Sequence, residues 1–169
     1  MTANNNTWPE LILEDWQDTL ATVHMWTQIV GKIRMETTPL VNHWWNVPLY
    51  VSARGLTTSP MPNGDRIFEI EFDFIDHKLL IECNDGATAS LDLRPQSVAE
   101  FYKELMAALQ GLGIDVKIWT MPVEVPGPST AVREAIRFKQ DFVHKSYDAD
   151  YVNRFWRALV SVDEVFKDF

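Results

Sequence analysis

The fold is indicated most clearly by the stretch Phe68-Glu69-Ile70-Glu71-Phe72-Asp73-Phe74. Its apolar residues alternate with acidic ones, and this period of two is typical of a β-strand with one buried and one solvated face. The same alternation continues in residues 78–83 and 88–93. We therefore predict an antiparallel meander of three strands whose apolar faces coincide.

The turns of this meander follow from the need to keep the apolar faces together. A two-residue turn at positions 76–77 would place Phe74 opposite Leu79 and Phe72 opposite Ile81. In the next hairpin, only a three-residue loop with a left-handed Gly86 preserves the pattern, because it pairs Cys83 with Ala87. The predicted core has the following members: Val47, Leu49, Val51, Phe68, Ile70, Phe72, Phe74, Leu79, Ile81 and Leu91, joined by Trp45.

A further strand is predicted at residues 47–54, where apolar and polar residues also alternate. Its most natural partner is the strand at 67–75, with residues 55–66 as the connecting loop. This loop is longer than a hairpin requires, since such loops usually have about 2–5 residues. Two interpretations remain open for it, a functional flap over one face of the sheet and a stiff surface loop.

Helical periodicity appears in three other places. Residues 14–35 form an amphipathic pattern, Ser97 and Glu100 form a capping box at the start of a second helix, and a third helix begins near Asp150. We expect residues 116–121 to form a further strand, joined by a right-handed crossover or, as the alternative, antiparallel at an edge of the sheet. The sequence thus predicts an α+β fold: a mainly antiparallel sheet of about five strands, a meander plus one crossover strand, with helices on one face.

The predicted organisation is a sheet domain at 1–125, a linker at 126–149 that includes Pro126-Gly127-Pro128, and a C-terminal helix at 150–169. That helix carries an apolar stripe up to its end. If it leads into a further C-terminal part, Phe166 and Phe169 should be largely exposed.

Composition excludes several function classes. The net charge of −9 and the scattered 15 basic residues argue against binding to nucleic acid. No apolar run approaches the ~20 residues of a membrane span, and the first residues do not resemble a signal peptide, so a cytoplasmic protein is expected. The single cysteine, Cys83, excludes an intrachain disulfide, and no motif indicates a cofactor or metal. Asp141 and His144 are the one pair considered for a metal, with an ordinary hydrogen bond as the alternative.

Several long strings resemble the bacterial domain of unknown function 5996 family. They are Asn42-His43-Trp44-Trp45-Asn46-Val47-Pro48-Leu49-Tyr50, Arg54-Gly55-Leu56-Thr57-Thr58-Ser59-Pro60, residues 68–74, Leu93-Arg94-Pro95-Gln96-Ser97-Val98 and Met121-Pro122-Val123-Glu124. The resemblance covers nearly the whole chain and implies no catalytic residue. It also implies members longer than 169 residues, of which this chain would match the amino-terminal part.

The candidate site lies on the polar face of the predicted strands. Pairing residues 47–54 with 67–75 would bring Tyr50 near Glu71 and gather an aromatic, amide, guanidinium and carboxylate cluster under the 55–66 loop. The predicted ligand-binding residues are Trp44, Asn46, Tyr50, Arg54, Glu69 and Glu71. A small polar or sugar-like ligand is the first interpretation. The alternatives are a docking surface for a C-terminal region or another chain, a hydrolase with paired carboxylates, and an ordinary solvated sheet face.

Overall fold

The structure is a computed structural model that describes residues 8–125 and 135–169. The elements are α1 (Leu13–Thr37), β1 (Tyr50–Val51), β2 (Gly55–Thr57), β3 (Met61–Asn63), β4 (Arg66–Asp73), β5 (Lys78–Cys83), β6 (Thr88–Asp92), α2 (Val98–Gly111) and α3 (Ala149–Lys167). Short 3-10 turns occupy Asn42–Trp44 and Phe138–Gln140. The described residues thus form three helices packed against a six-stranded antiparallel sheet, which confirms the predicted α+β class.

The long strand β4 organises the sheet. The strand order is β1-β2-β4-β5-β6, and β3 also pairs with β4. β2 and β3 lie one after the other on the same edge of β4, because β5 occupies its other edge. Thr58 joins them to the ladder: its N–H donates to the Ile70 carbonyl, and its hydroxyl oxygen accepts the Ile70 N–H, both at 3.0 Å.

The prediction that residues 47–54 form one strand paired directly with 67–75 is wrong. Only Tyr50 and Val51 are in a strand, and β2 lies between them and β4. Pro48 has no N–H to contribute to a ladder, and its carbonyl accepts a hydrogen bond from the Arg34 guanidinium of α1. The segment is therefore tied to the helix. Residues 55–66 do not form a flap, because they contain β2 and β3.

The first turn of the meander also differs from the prediction. Phe72, not Phe74, lies opposite Leu79, so the turn has four residues. The Asp73 carboxylate stabilises it by accepting the backbone N–H groups of Ile75 and Asp76 at 2.8 and 3.0 Å. The observed pairing of β4 with β5 is shifted by two residues from the predicted one, and a shift of two keeps every side chain on its predicted face. The predicted core residues are therefore correct although the predicted register is wrong.

The second turn is confirmed in detail. The Cys83 N–H donates to the Ala87 carbonyl at 2.9 Å, and Gly86 has φ of 87°. Residues 116–121, in contrast, are not a strand of the described sheet. Their alternation arises from packing instead, since Val116 is buried and Ile118 is partly buried against the core, while Lys117 faces solvent.

The core lies between the sheet and the helices. Aromatic rings connect its layers, because Phe72 of β4 stacks on Phe101 of α2, Phe101 on Trp26 of α1, and Trp26 on Tyr147. The predicted core residues of β4, β5, β6 and the turn after β4 are all buried; they are Phe68, Ile70, Phe72, Phe74, Leu79, Ile81 and Leu91. Leu49 and Val51 are partly buried against them. Trp45 does not join this core, because positive φ angles at the two preceding residues turn it outward.

The segment before α3 is packed closely against the rest of the fold. Residues 126–134 of the predicted linker lie outside the described residues, whereas Phe138 and Tyr147 are buried in the core. The N–H groups of Val98 and Ala99 lie at the start of α2, where a helix offers them no partner of its own. They donate instead to carbonyls of this segment at 3.0 Å. The predicted capping box of Ser97 is confirmed.

The last helix, α3, packs against the rest of the fold from its start to about Ser161. The Phe155 ring lies 5.4 Å from Trp16 of α1, and Asn153 donates to the Phe74 carbonyl at 2.9 Å. Towards the end of the helix, Phe166 is 72% exposed and Phe169 is fully exposed. Among the described helices, none is both long and apolar enough to cross a membrane.

Candidate functional site

The six predicted site residues lie on two different parts of the structure. Trp44 and Asn46 belong to the turn that precedes β1, whereas the others lie on the sheet or next to it; these are Tyr50, Arg54, Glu69 and Glu71. The register puts Tyr50 opposite Thr57, and Thr57 opposite Glu71. Tyr50 and Glu71 therefore share a face but are separated by one strand, instead of being direct neighbours.

The two carboxylates of this face already have hydrogen-bond partners. The Ser52 hydroxyl donates to Glu71, and the Thr57 hydroxyl donates to Glu69. Both carboxylates are half-buried. A ligand on this face would therefore compete with bonds that the protein already makes.

Arg54 faces a different set of carboxylates. Its Nε lies 2.6 Å from Asp73 Oδ2, and its NH2 group lies 2.7 Å from Asp76 Oδ2. Burial raises the pKa of Asp73, but the Asp76 N–H, the Arg54 guanidinium and the Ile75 N–H outweigh that effect and hold it below its ordinary value. Arg54 therefore stabilises the β4–β5 turn.

The turn before β1 presents two tryptophans to solvent. Trp44 is 59% exposed and Trp45 is 67% exposed. His43 and Trp44 have φ of 59° and 60°, a region that costs non-glycine residues free energy. The buried Asn46 side chain accepts the Val41 N–H at 3.3 Å and holds the turn in place. Strained backbone under exposed aromatic side chains is typical of binding surfaces.

A groove on the helical side of the sheet was not predicted from the sequence. It has a volume of about 580 Å³ and lies between α1, residues 47–49, β2, residues 123–124 and α3. Its lining is mainly apolar: Leu20, Val23, Met35, Val47, Pro48, Leu49, Leu56, Val123, Phe155 and Leu159. Two of these, Val47 and Leu49, were assigned to the core from their alternation, and they are only partly buried because they form this wall.

One polar stripe of α1 also lines the groove. His24, Gln28 and Lys32 follow one another at intervals of four residues and therefore share a face. The Gln28 amide group donates to the Val123 carbonyl at 2.7 Å and accepts the Val123 N–H at 2.9 Å, so it fixes one wall. Burial lowers the pKa of His24 below its ordinary value, which favours the neutral imidazole at this position.

The pair considered for a metal forms a local hydrogen-bonded turn. His144 Nδ1 lies 2.7 Å from Asp141 Oδ2, and the buried Asp141 also accepts the backbone N–H groups of Val143 and His144. Within residues 8–125 and 135–169 there is no group of three or more His, Cys, Asp or Glu side chains that could hold a metal ion. The pair shapes the segment that covers the start of α2.

Comparison with known proteins extends only to the family level. No curated protein and no solved structure matches the chain. A family model matches residues 8–169, which is essentially the whole chain. The protein therefore belongs to DUF5996, a family of unknown function, as its sequence strings indicate.

Proposed function

We propose that this protein is a small-molecule-binding domain and that the groove between α1 and α3 holds the apolar body of the ligand. The observation that carries the proposal is the groove itself, at about 580 Å³. Ligand sites in proteins are usually clefts of about 300–1,000 Å³ with apolar walls and a few placed polar groups. The groove has this composition, with the polar stripe of α1 along one side.

The energetics favour the groove over the polar sheet face. On the sheet, the carboxylates of Glu69 and Glu71 and the guanidinium of Arg54 are already hydrogen-bonded within the protein. A polar ligand there would have to replace these bonds, with little net gain. In the groove, each methylene removed from water contributes about 0.8 kcal/mol. For the same reason, we do not extend the proposal to hydrolysis by the paired carboxylates.

Calorimetric titration with 1-decanol, an uncharged ligand with an apolar chain, tests the proposal. We expect saturable binding at one site, and we expect Leu159→Gln to weaken it because a polar amide would stand in the groove wall. Val165→Gln is the matched control, since Val165 lies on the same helix but is exposed and outside the groove. The proposal fails if decanol does not bind, or if both variants bind it as the wild type does.

A second candidate function is docking to another protein chain through the turn before β1. It is favoured by the exposed Trp44 and Trp45 on strained backbone and by Tyr50, whose ring lies 5.0 Å from the Arg34 guanidinium. Trp, Tyr and Arg are the residues most enriched at interface hot spots. If the partner is a second copy, sedimentation equilibrium should show self-association that the Trp44→Ala, Trp45→Ala double variant abolishes. A wild type that stays monomeric would count against self-docking.

A further inference from the structure

Lys32 is an unusual residue in the groove wall. It is only 6% exposed, although lysine is almost never buried without a partner. Its Nζ lies 4.9 Å from the centre of the Trp119 ring, which covers it on one side. In the part of the chain that the structure describes, no carboxylate forms an ion pair with it.

The surroundings of Lys32 do not compensate its charge fully. Burial lowers the pKa of Lys32 below its ordinary value, and Glu36, one helical turn later, opposes this effect only in part. Glu36 is exposed, and so is Glu124, the carboxylate at the rim of the groove. Exposed carboxylates are hydrated and screened, so they are weak partners for the ammonium group of Lys32.

We propose that the ligand of the groove is an amphipathic anion, with an apolar chain in the groove and a carboxylate headgroup at Lys32. This inference rests on the proposed function and specifies its ligand class. An anionic headgroup would supply the counter-charge that Lys32 lacks, and the hydrogen bond between them would be charge-assisted. The apolar lining accounts for the chain, and Lys32 accounts for the preference for an acid over its uncharged analogue.

The polar stripe supports this orientation of the ligand. His24 lies two turns of α1 before Lys32 and is biased towards its neutral form, so the described lining residues include no second cation that would attract the headgroup there. Gln28, between them, uses its amide group on Val123. Among the lining residues that the structure describes, Lys32 is therefore the cation that would fix which end of the ligand lies there.

The test compares decanoate with 1-decanol, which has the same chain length and no charge, in calorimetric titrations. Charge-assisted hydrogen bonds contribute about 1.5–3 kcal/mol, so the wild type should bind decanoate about ten- to a hundredfold more tightly than decanol. Lys32→Met should remove this preference, so that the variant binds decanoate and decanol with similar affinities. The variant should fold, because replacing an unpaired buried charge by an apolar side chain is usually neutral or stabilising.

Lys103→Met, at an exposed position of α2, is the matched control and should keep the preference for decanoate. Equal affinities of the wild type for decanoate and decanol would overturn the inference while leaving the binding groove in place. A preference for decanoate that persists in Lys32→Met would overturn it too. If neither compound binds the wild type, the proposed function itself fails, and the inference fails with it.

Discussion

Gly55→Ala should be among the most damaging single substitutions in this protein. A Cβ atom at Gly55 would lie 1.7 Å from the Phe72 carbonyl oxygen and 2.9 Å from its carbonyl carbon. Ordinary van der Waals contact begins at 3.4 Å, so the clash amounts to half of that distance. Both atoms belong to the backbone of β4, the central strand, and they cannot rotate away. β2 would have to move off β4.

The free-energy cost of this displacement follows from the hydrogen bonds that flank β2. Phe74 donates to the Arg54 carbonyl at 2.8 Å, and Thr58 donates to the Ile70 carbonyl at 3.0 Å. Losing two hydrogen bonds of about 1 kcal/mol each, with about 1–3 kcal/mol of overpacking strain, gives about 3–5 kcal/mol. The total stability of a domain is about 5–15 kcal/mol, so the variant should be severely destabilised.

Urea denaturation followed by circular dichroism measures this effect. Gly111→Ala is the matched control, because Gly111 ends α2 and has no neighbouring atom within 4 Å of an added Cβ. It should be neutral or slightly stabilising, since alanine is the better helix former. A Gly55→Ala variant within about 1 kcal/mol of the wild type would show that β2 does not approach β4 as closely as described.

Three further substitutions test other parts of the structure. Thr22→Val should lower the free energy of unfolding in urea by about 1–3 kcal/mol, because the buried Thr22 hydroxyl accepts the Ser146 N–H at 3.1 Å and valine would leave this N–H unpaired. An unchanged free energy of unfolding would contradict the contact. Asp73→Asn should destabilise the protein at pH 7 by removing the charge paired with Arg54. Folding lowers the pKa of Asp73, so the stability that its charge contributes is complete above the ordinary pKa of 3.8 and is lost as the pH falls through the folded-state pKa. The free energies of unfolding of the wild type and the variant should therefore converge on acidification. A difference in stability that does not change with pH would refute this. Trp44→Gly should be more stable than Trp44→Ala by about 1 kcal/mol in thermal melts, because only glycine adopts positive φ without strain; equal stabilities would argue against the strained turn.

The sequence predicted the meander well because side-chain parity depends only on the alternation within each strand. Phe72 and Leu79 keep their buried faces whatever the length of the turn between their strands. The predicted length of the first turn was wrong, because the alternation does not reveal the hydrogen bonds that Asp73 makes to the backbone of the turn. The capping box at Ser97 and the left-handed Gly86 were correct because they are local signals.

The candidate site could not be predicted to the same extent. The prediction that six residues form one cluster depended on a direct pairing of residues 47–54 with β4. In the structure β2 lies between them and separates Tyr50 from Glu71. The groove arises where α1, α3 and residues 47–49 meet, and long-range packing of this kind leaves no periodic signal. Lys32 gave no sign of the groove either, since a lysine is ordinary in the amphipathic helix predicted at 14–35.

The two hydrogen bonds between Gln28 and Val123 bear on how a ligand enters the groove. The Gln28 side chain pairs with both the N–H and the C=O of one residue, as a neighbouring strand would. Unlike a strand, it can release both hydrogen bonds by a change of one rotamer. With about 1 kcal/mol for each bond, the released state would hold about 3% of the molecules at equilibrium. Rotamer changes take place in picoseconds to nanoseconds at exposed positions, so admission of a ligand should be limited by diffusion and not by the protein. Gln28 thus sets the width of the groove without slowing access to it.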